Sequence, residues 1–120
     1  MEKYVDGFVI TVLKENVEKY KELARMAGEI WMENGALEYY ECLGDDLDIE
    51  NMLSFNTIAG ASENETVIFA WIVYESREHR DLVNAAVMAD PRLQETMKKG
   101  EEPFDCKRMA YGGFKTIVEA

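Results

Sequence analysis

Hydrophobic positions along the chain fall into two patterns, nearly continuous runs and runs with a spacing of three to four residues. The segments "YVDGFVITVL" (4–13) and "TVIFAWIVY" (66–74) are nearly continuous and rich in β-branched and aromatic residues, which predicts two strands covered on both faces. After Asn16, apolar residues recur at helical spacing as far as Gly35. Asn16 is therefore a candidate N-cap and Gly35 a candidate helix stop.

The next two segments predict an edge strand and a long connection. "ALEYYECL" (36–43) is interrupted by Glu38 and Glu41, which suits a strand at the edge of a sheet. "GDDLDIENMLSFNTIAGASENE" (44–65) is a long connection whose middle, "MLSFNTIA", could add a short strand.

A second helical unit begins near Ser76. Its predicted apolar side consists of Leu82, Val83, Ala86 and Val87. The stretch "ADPR" interrupts the helix, because Asp90 can cap a new turn that has Pro91 in its first position. This second piece is predicted to run to about Lys99.

A last strand, "KRMAYGGFKTIV" (107–118), completes the order strand, helix, strand, strand, helix, strand. Gly112 and Gly113 within it indicate a bulge or a close backbone approach. The order is the split βαβ, ferredoxin-like arrangement of the α+β class, and right-handed crossovers place the first and third strands at the centre of an antiparallel sheet. We predict one domain over residues 1–120.

Two helices can cover only one face of such a sheet. The other face would expose aromatic and β-branched side chains over an area that soluble monomers seldom leave bare. We therefore predict a homodimer in which two copies pack sheet against sheet about a two-fold axis. Alternatively, the 44–65 connection folds over that face within one chain.

The net charge of the chain limits the kinds of molecule that it is expected to bind. The 24 acidic residues outnumber the 13 Lys and Arg residues, which gives a net charge of −11. A strongly acidic surface repels phosphate backbones and anionic membranes, so this balance argues against nucleic acid as a partner. No apolar run reaches the roughly 20 residues of a membrane helix, and the first residues lack the pattern of a signal peptide. We predict a cytoplasmic protein in which Cys42 and Cys106 are thiols.

Four long segments carry a resemblance to a known family. "YVDGFV", "GALEYYECLGDD", "FAWIVYESREHRDLVNAAVMADPRL" and "PFDCKRMAYGGF" resemble, in the same order, the YbaA-like family of small bacterial proteins of unknown function. The resemblance implies the dimeric α+β barrel superfamily, in which two ferredoxin-like protomers join their sheets. That superfamily includes cofactor-free monooxygenases, haem enzymes, isomerases and stress-response proteins, so the fold does not select a function.

His79 is the first candidate catalytic residue, and it is the chain's only histidine. If Ser76 caps the helix, His79 is its third residue and shares the side of Leu82 and Val83. A neutral imidazole at a helix N-terminus could act as a base or as a hydrogen-bond donor. The alternative is a structural histidine that fills the gap between helix and sheet and bonds a backbone carbonyl.

Asp6 is the second candidate catalytic residue, because it interrupts an apolar central strand. A carboxylate there must be hydrogen-bonded or paired, since burying it unpaired costs several kcal/mol. Lys107 and Arg108 on the neighbouring last strand are the expected partners. Alternatively, Asp6 is the acid of a pocket.

The candidate ligand-binding residues are one arginine and several aromatic residues. Arg80 could bind a ligand carboxylate through its planar guanidinium, or it could pair with Asn84 on a solvated helix face. Aromatic side chains on the strands and the first helix could line an apolar pocket, or they could be plain core. They are Phe8, Tyr20, Trp31, Tyr39, Phe69, Trp71 and Tyr111, of which Phe8, Trp31, Trp71 and Tyr111 are our candidates.

No cofactor or metal motif is found in the sequence. Signatures of nucleotide-binding loops and serine nucleophiles are missing, and the acidic stretch "GDDLDIE" (44–50) lacks the spacing of a calcium loop, so we predict neither cofactor nor metal. The first hypothesis is a homodimer that binds or transforms a small organic molecule in an apolar pocket between helices and sheet. The alternatives are a non-enzymatic stress-response or protein-binding dimer and, more remotely, an RNA-associated protein.

Overall fold

Four strands and four α-helices make up the part of the chain that the computed structural model describes, residues 2–98, 100 and 102–120. The strands are β1 (Tyr4–Leu13), β2 (Glu38–Leu43), β3 (Glu65–Tyr74) and β4 (Ala110–Lys115). The helices are α1 (Val17–Glu33), α2 (Phe55–Ala59), α3 (Arg77–Met88) and α4 (Pro91–Lys98). Short 3₁₀ helices, Lys14–Asn16 and Cys106–Arg108, precede α1 and β4.

The strands form one antiparallel sheet in the order β2-β3-β1-β4. The two nearly continuous apolar runs are its central strands, and they pair along their whole length, from Tyr4 opposite Tyr74 to Leu13 opposite Glu65. With α1 after β1 and α3 after β3, this topology confirms the predicted ferredoxin-like α+β fold. None of the described helices is long and apolar enough to cross a lipid bilayer.

Local capping signals explain most of the helix boundaries. The Ser76 hydroxyl accepts a hydrogen bond from the His79 N–H and begins α3. Asp90 accepts from the Arg92 N–H at the start of α4, as predicted. Gly35, at φ 106°, ends α1. Asn16 does not cap α1 through its side chain, because the 3₁₀ turn leads directly into the helix.

Two predicted strand segments are wrong. "MLSFNTIA" contains the one-turn helix α2 instead of a strand, since the Ser54 hydroxyl accepts from the Asn56 N–H and Gly60 ends the turn at φ 64°. Lys107 and Arg108 lie in a 3₁₀ helix before β4. The predicted end of α4 at Lys99 lies outside the described residues.

The core between the helices and the sheet is divided into two clusters of buried side chains. The first cluster packs α3 and the end of α1 on the sheet and consists of Tyr4, Ile30, Ala36, Ile72, Tyr74, Val83, Val87 and Leu93. The second cluster packs the start of α1 and consists of Ile10, Val12, Tyr20, Ala24, Ile68 and Ala70. Phe8 is partly buried and contacts both clusters. Leu82, predicted to be apolar core, is 72% exposed on α3.

The opposite face of the sheet, which we call the outer face, is covered only in part. At one end α2 packs on it: the Thr11 hydroxyl donates to the Ala59 carbonyl, and the rings of Phe55 and Phe69 lie 5.9 Å apart. At the other end, Tyr40 and Phe114 remain 49% and 61% exposed. The 44–65 connection therefore shields one end of the outer face, and Tyr40 and Phe114 stay exposed at the other.

We expect Gly113→Ala to destabilise the fold and Gly112→Ala to leave it nearly unchanged. A Cβ at Gly113 would lie 2.7 Å from Cε2 of the buried Tyr4 ring, whereas a Cβ at Gly112 would meet nothing closer than 3.8 Å. Overpacking of this kind costs about 1–3 kcal/mol. Urea denaturation at a fixed protein concentration measures both variants. Equal midpoints would contradict the predicted close approach of Tyr4 and β4.

Candidate functional site

A cavity of about 380 Å³ lies between the helices and the sheet and is lined by members of both core clusters. Its sheet side is formed by alternate residues of the two central strands, which are Asp6, Phe8, Ile10, Ala70 and Ile72. Its helix side comes from α1, the second half of α3, and α4. The lining residues Met88, Met97 and Tyr111 are each about half exposed and mark the side that opens to solvent.

Small residues on α1 leave this space unfilled. Ala24 and Ala27 are buried on the side of the helix that faces the sheet, and both line the cavity. At Gly28 the absence of a side chain lets Tyr39 approach the helix, since a Cβ there would lie 2.9 Å from the Tyr39 ring. An α1 surface of alanine and glycine therefore permits both the cavity and its aromatic wall.

A polar cluster around Asp6 forms one end of the cavity. The Asp6 side chain is only 1% exposed. Its Oδ1 accepts a hydrogen bond from Arg80 at 3.1 Å, and its Oδ2 accepts from the Tyr111 hydroxyl at 3.2 Å and the Asn84 amide at 3.4 Å. Arg80 and Asn84 are one turn apart on α3, so the cap at Ser76 aligns both with Asp6.

The same cluster extends to α1 and β3. The Trp31 indole N–H points at both the Tyr74 hydroxyl and Asn84 Oδ1, 3.0 Å from each, and Tyr74 donates to Asn84 Oδ1. Burial and the nearby Asp6 carboxylate raise the pKa of Tyr74. Burial, and then Asp6, also raise the pKa of Tyr111, so both hydroxyls remain neutral donors at neutral pH.

A second polar group in the cavity wall is formed by Tyr20, Tyr39 and Glu41. The Tyr20 hydroxyl donates to Glu41 Oε1 at 2.5 Å, and the Tyr39 hydroxyl donates to Oε2 at 2.6 Å. Burial raises the pKa of both tyrosines, and the Glu41 carboxylate raises it further. The site therefore presents one carboxylate held by two neutral hydroxyl donors.

The structure brings four of the predicted site residues together. Asp6, Phe8, Trp31 and Tyr111 all line the cavity. Arg80 stands behind Asp6, its side chain 13% exposed and its guanidinium 5.0 Å from the Tyr4 ring centroid. The alternative of a solvated Arg80 paired with Asn84 is therefore wrong, because α3 turns this side chain toward β1.

The expected pairing of Asp6 with Lys107 or Arg108 is also wrong. Arg108 instead donates to Glu65 at 2.7 Å and to the Gly60 carbonyl at 2.8 Å, and it ties the 3₁₀ helix to the start of β3. The hydrogen bond from Arg108, followed by the one from the Ser62 N–H, lowers the pKa of Glu65 to about 2. Because β4 begins only at Ala110, Lys107 and Arg108 lie before the strand and do not reach Asp6.

His79 lies outside the cavity wall. Its Nδ1 accepts a hydrogen bond from the Glu75 N–H at 3.0 Å, and its ring meets the edge of Tyr74 at 6.0 Å. Its Nε2 faces Gly35, where an added Cβ would lie 3.3 Å away. The imidazole thus lies between the start of α3 and the end of α1, and it accepts from a backbone N–H instead of bonding the backbone carbonyl that the structural alternative predicts.

The prediction that Trp71 binds a ligand in the cavity is wrong as well. In the β-ladder it is paired with Gly7 and Tyr40, so its side chain lies on the outer face and not in the cavity. Its ring stacks on Tyr40 with centroids 5.0 Å apart.

Glu41 lines the cavity although the sequence pattern did not single it out as a site residue. Tyr39 and Glu41 are two positions apart on β2 and therefore share a face, and an acid beside aromatic residues on that face was the available signal.

Comparison with known proteins identifies relatives of the same length. The model of a family described as a protein of unknown function, DUF1428, matches residues 3–106. The uncharacterized protein YbaA of Escherichia coli strain K12 is 44% identical over 118 residues, which cover 98% of each chain.

Solved structures support the fold. A dimeric ferredoxin-like protein from an uncultured marine organism matches over 100% of both chains, with a TM-score of 0.69 and 7% identity. SnoaB of Streptomyces nogalater, described as a cofactor-independent oxygenase, matches over 98% of this chain and 95% of its own, with a TM-score of 0.61 and 11% identity. At these identities the likeness concerns the fold alone.

We expect Asp6→Asn to lower the free energy of unfolding by about 3 kcal/mol, because removing one partner of a buried ion pair leaves the other charge uncompensated. The matched control is Asp81→Asn. Asp81 lies 2.9 Å from Nε of the same arginine but is 62% exposed, so its loss costs less than about 1 kcal/mol. Urea denaturation measures both variants, and an equally small loss for Asp6→Asn would contradict a structural pair.

Proposed function

We propose that this chain, which belongs to the DUF1428 family of proteins of unknown function, is a homodimer that binds a small, largely apolar organic molecule in the cavity between its helices and sheet. The cavity itself carries the proposal. Its volume of about 380 Å³ suits a small ligand, and its wall is apolar apart from a few convergent polar groups.

The proposed binding residues have separate tasks. The rings of Phe8 and Tyr111, with centroids 4.9 Å apart, and the indole of Trp31 offer flat apolar surfaces to the ligand. Asp6 and the Tyr111 hydroxyl supply polar contacts at one end. Arg80 acts through Asp6, which it holds in place. The proposal assigns His79 to the junction of α1 and α3 and leaves it without a catalytic step.

The homodimer follows from the uncovered part of the outer face. Tyr40 and Phe114 would be buried if two copies packed sheet against sheet, and this burial removes apolar surface from water. Structural neighbours that are described as dimeric ferredoxin-like proteins support this arrangement. Because the cavity lies on the other side of the sheet, each protomer has its own site.

We expect indole to bind in the cavity and to shift the amide NMR signals of Phe8, Trp31 and Ile72 more than that of Trp71 on the outer face. Ala27→Phe fills the space beside α1 and should weaken indole binding at least about tenfold, which corresponds to 1.4 kcal/mol. Ala86→Phe, on the exposed side of α3, is the matched control. If Ala27→Phe does not fold, Ala24→Leu takes its place.

Shifts confined to Trp71 and its neighbours, or no binding at all, would count against the cavity as a ligand site. That outcome would favour the protein-binding alternative.

We expect sedimentation at micromolar concentration to show a species of twice the 13.8 kDa chain mass. Phe114→Glu places a charge on the outer face and should convert this species to a monomer, because a buried unpaired carboxylate opposes association. Leu82→Glu is the control, since Leu82 is 72% exposed on α3, away from the outer face. A wild-type monomer, or a dimer that only Leu82→Glu disrupts, would exclude the sheet-to-sheet interface.

A further inference from the structure

We infer that the cavity selects an organic cation, an aromatic molecule with an ammonium group, over the matching carboxylate. The inference rests on the proposed binding function and adds the charge of the ligand to it. It depends on the charges of the wall, on the bonds already made by Arg80, and on the aromatic rings near Glu41.

The described part of the cavity wall is acidic. Its carboxylic acids are Asp6, which Arg80 neutralises, and Glu41 and Glu102, and none of the described lining residues is Lys or Arg. The cavity thus contains negative charges in surroundings of low polarity, where a charge acts more strongly on a ligand than it does in water. The net charge of −11 on the whole chain adds to the attraction of cations.

Arg80, which bonds the lining residues Asp6 and Tyr111, is not free to pair with an anionic ligand. Its Nη1 donates to Asp6 at 3.1 Å and to the Tyr111 hydroxyl at 2.7 Å, and its Nε lies 2.9 Å from Asp81. A ligand carboxylate would have to displace Asp6, which is 1% exposed and has no other cation within salt-bridge distance among the described residues. The structure therefore argues against the predicted contact between Arg80 and a ligand carboxylate.

Glu41 is the acid that a cationic ligand would meet. Both of its oxygens accept hydrogen bonds from tyrosine hydroxyls, and no described Lys or Arg lies within salt-bridge distance of it. The negative charge of the carboxylate is thus hydrogen-bonded but not neutralised. Each carboxylate oxygen can accept a further bond, so an ammonium group can be added without breaking the existing ones.

Two aromatic residues, Tyr20 and Tyr39, bond this carboxylate, and a further ring packs on each of them. Trp31 and Tyr39 lie with ring centroids 6.0 Å apart, and Tyr20 meets Phe104 edge-on at 5.6 Å. All four residues line the cavity. The faces of aromatic rings attract ammonium groups, whereas they repel carboxylates. Rings and carboxylate therefore favour the same sign of ligand charge.

The test compares tryptamine with indole-3-propionate, two molecules that share an indole and differ in the charge at the end of the side chain. 3-Methylindole serves as the neutral reference. We expect calorimetry at neutral pH and 0.15 M salt to show that tryptamine binds at least about tenfold more tightly than indole-3-propionate, the equivalent of one opposite-charge contact.

Glu41→Gln should reduce this ratio to below about threefold, because the amide oxygen still accepts hydrogen bonds while the charge is gone. Glu38→Gln is the matched control. It removes the same charge from the same strand, but Glu38 is exposed and lies on the outer face, so the ratio should not change.

The possible outcomes separate the two proposals. If indole-3-propionate binds as tightly as tryptamine while 3-methylindole binds too, the charge preference is overturned and the cavity remains a ligand site. If none of the three binds, the proposed function fails. If Glu41→Gln does not fold, the wild-type ratio decides, and a ratio near one overturns the inference.

Discussion

A buried ion pair between the central strand and the second helical unit determines how the two layers of this molecule meet. Asp6 on β1 is almost inaccessible, and it is held by Arg80, Asn84 and Tyr111. Polar side chains therefore occupy the contact between α3 and the middle of the sheet. On α1, alanines face the same region. Together these choices divide the core into two apolar clusters, and the cavity lies where neither cluster fills the space.

The two faces of the sheet consequently differ in where their apolar side chains remain exposed. On the helix-facing side, the apolar residues are buried within the chain except around the cavity, where Phe8 and Trp31 border open space. The outer face is shielded by α2 at one end and bare around Tyr40 and Phe114. In the proposed assembly, a second copy of the chain would cover the outer face and a small molecule would fill the cavity, without competing for the same surface.

The spacing of apolar residues was sufficient to predict the long helices and strands, because in each of them this spacing reflects which side chains are buried. β1 and β3 follow the two apolar runs, and the caps at Ser76 and Asp90 define the starts of α3 and α4. Structural features that depend on residues far apart in the sequence could not be predicted from this spacing. Asp6 meets an arginine 74 positions away, and α2 is a single turn stabilised by its cap and its contact with Phe69. Trp71 faces away from the cavity because of strand register, which composition does not reveal.

The most direct measurement is a crystal structure of the protein grown with tryptamine. We expect an open cavity between the two core clusters. The indole should lie beside Phe8 and Trp31, and the ammonium nitrogen about 3 Å from a Glu41 carboxylate oxygen. A space closed by the side chains of α1 and α4, with Glu41 shielded from any ligand, would contradict it.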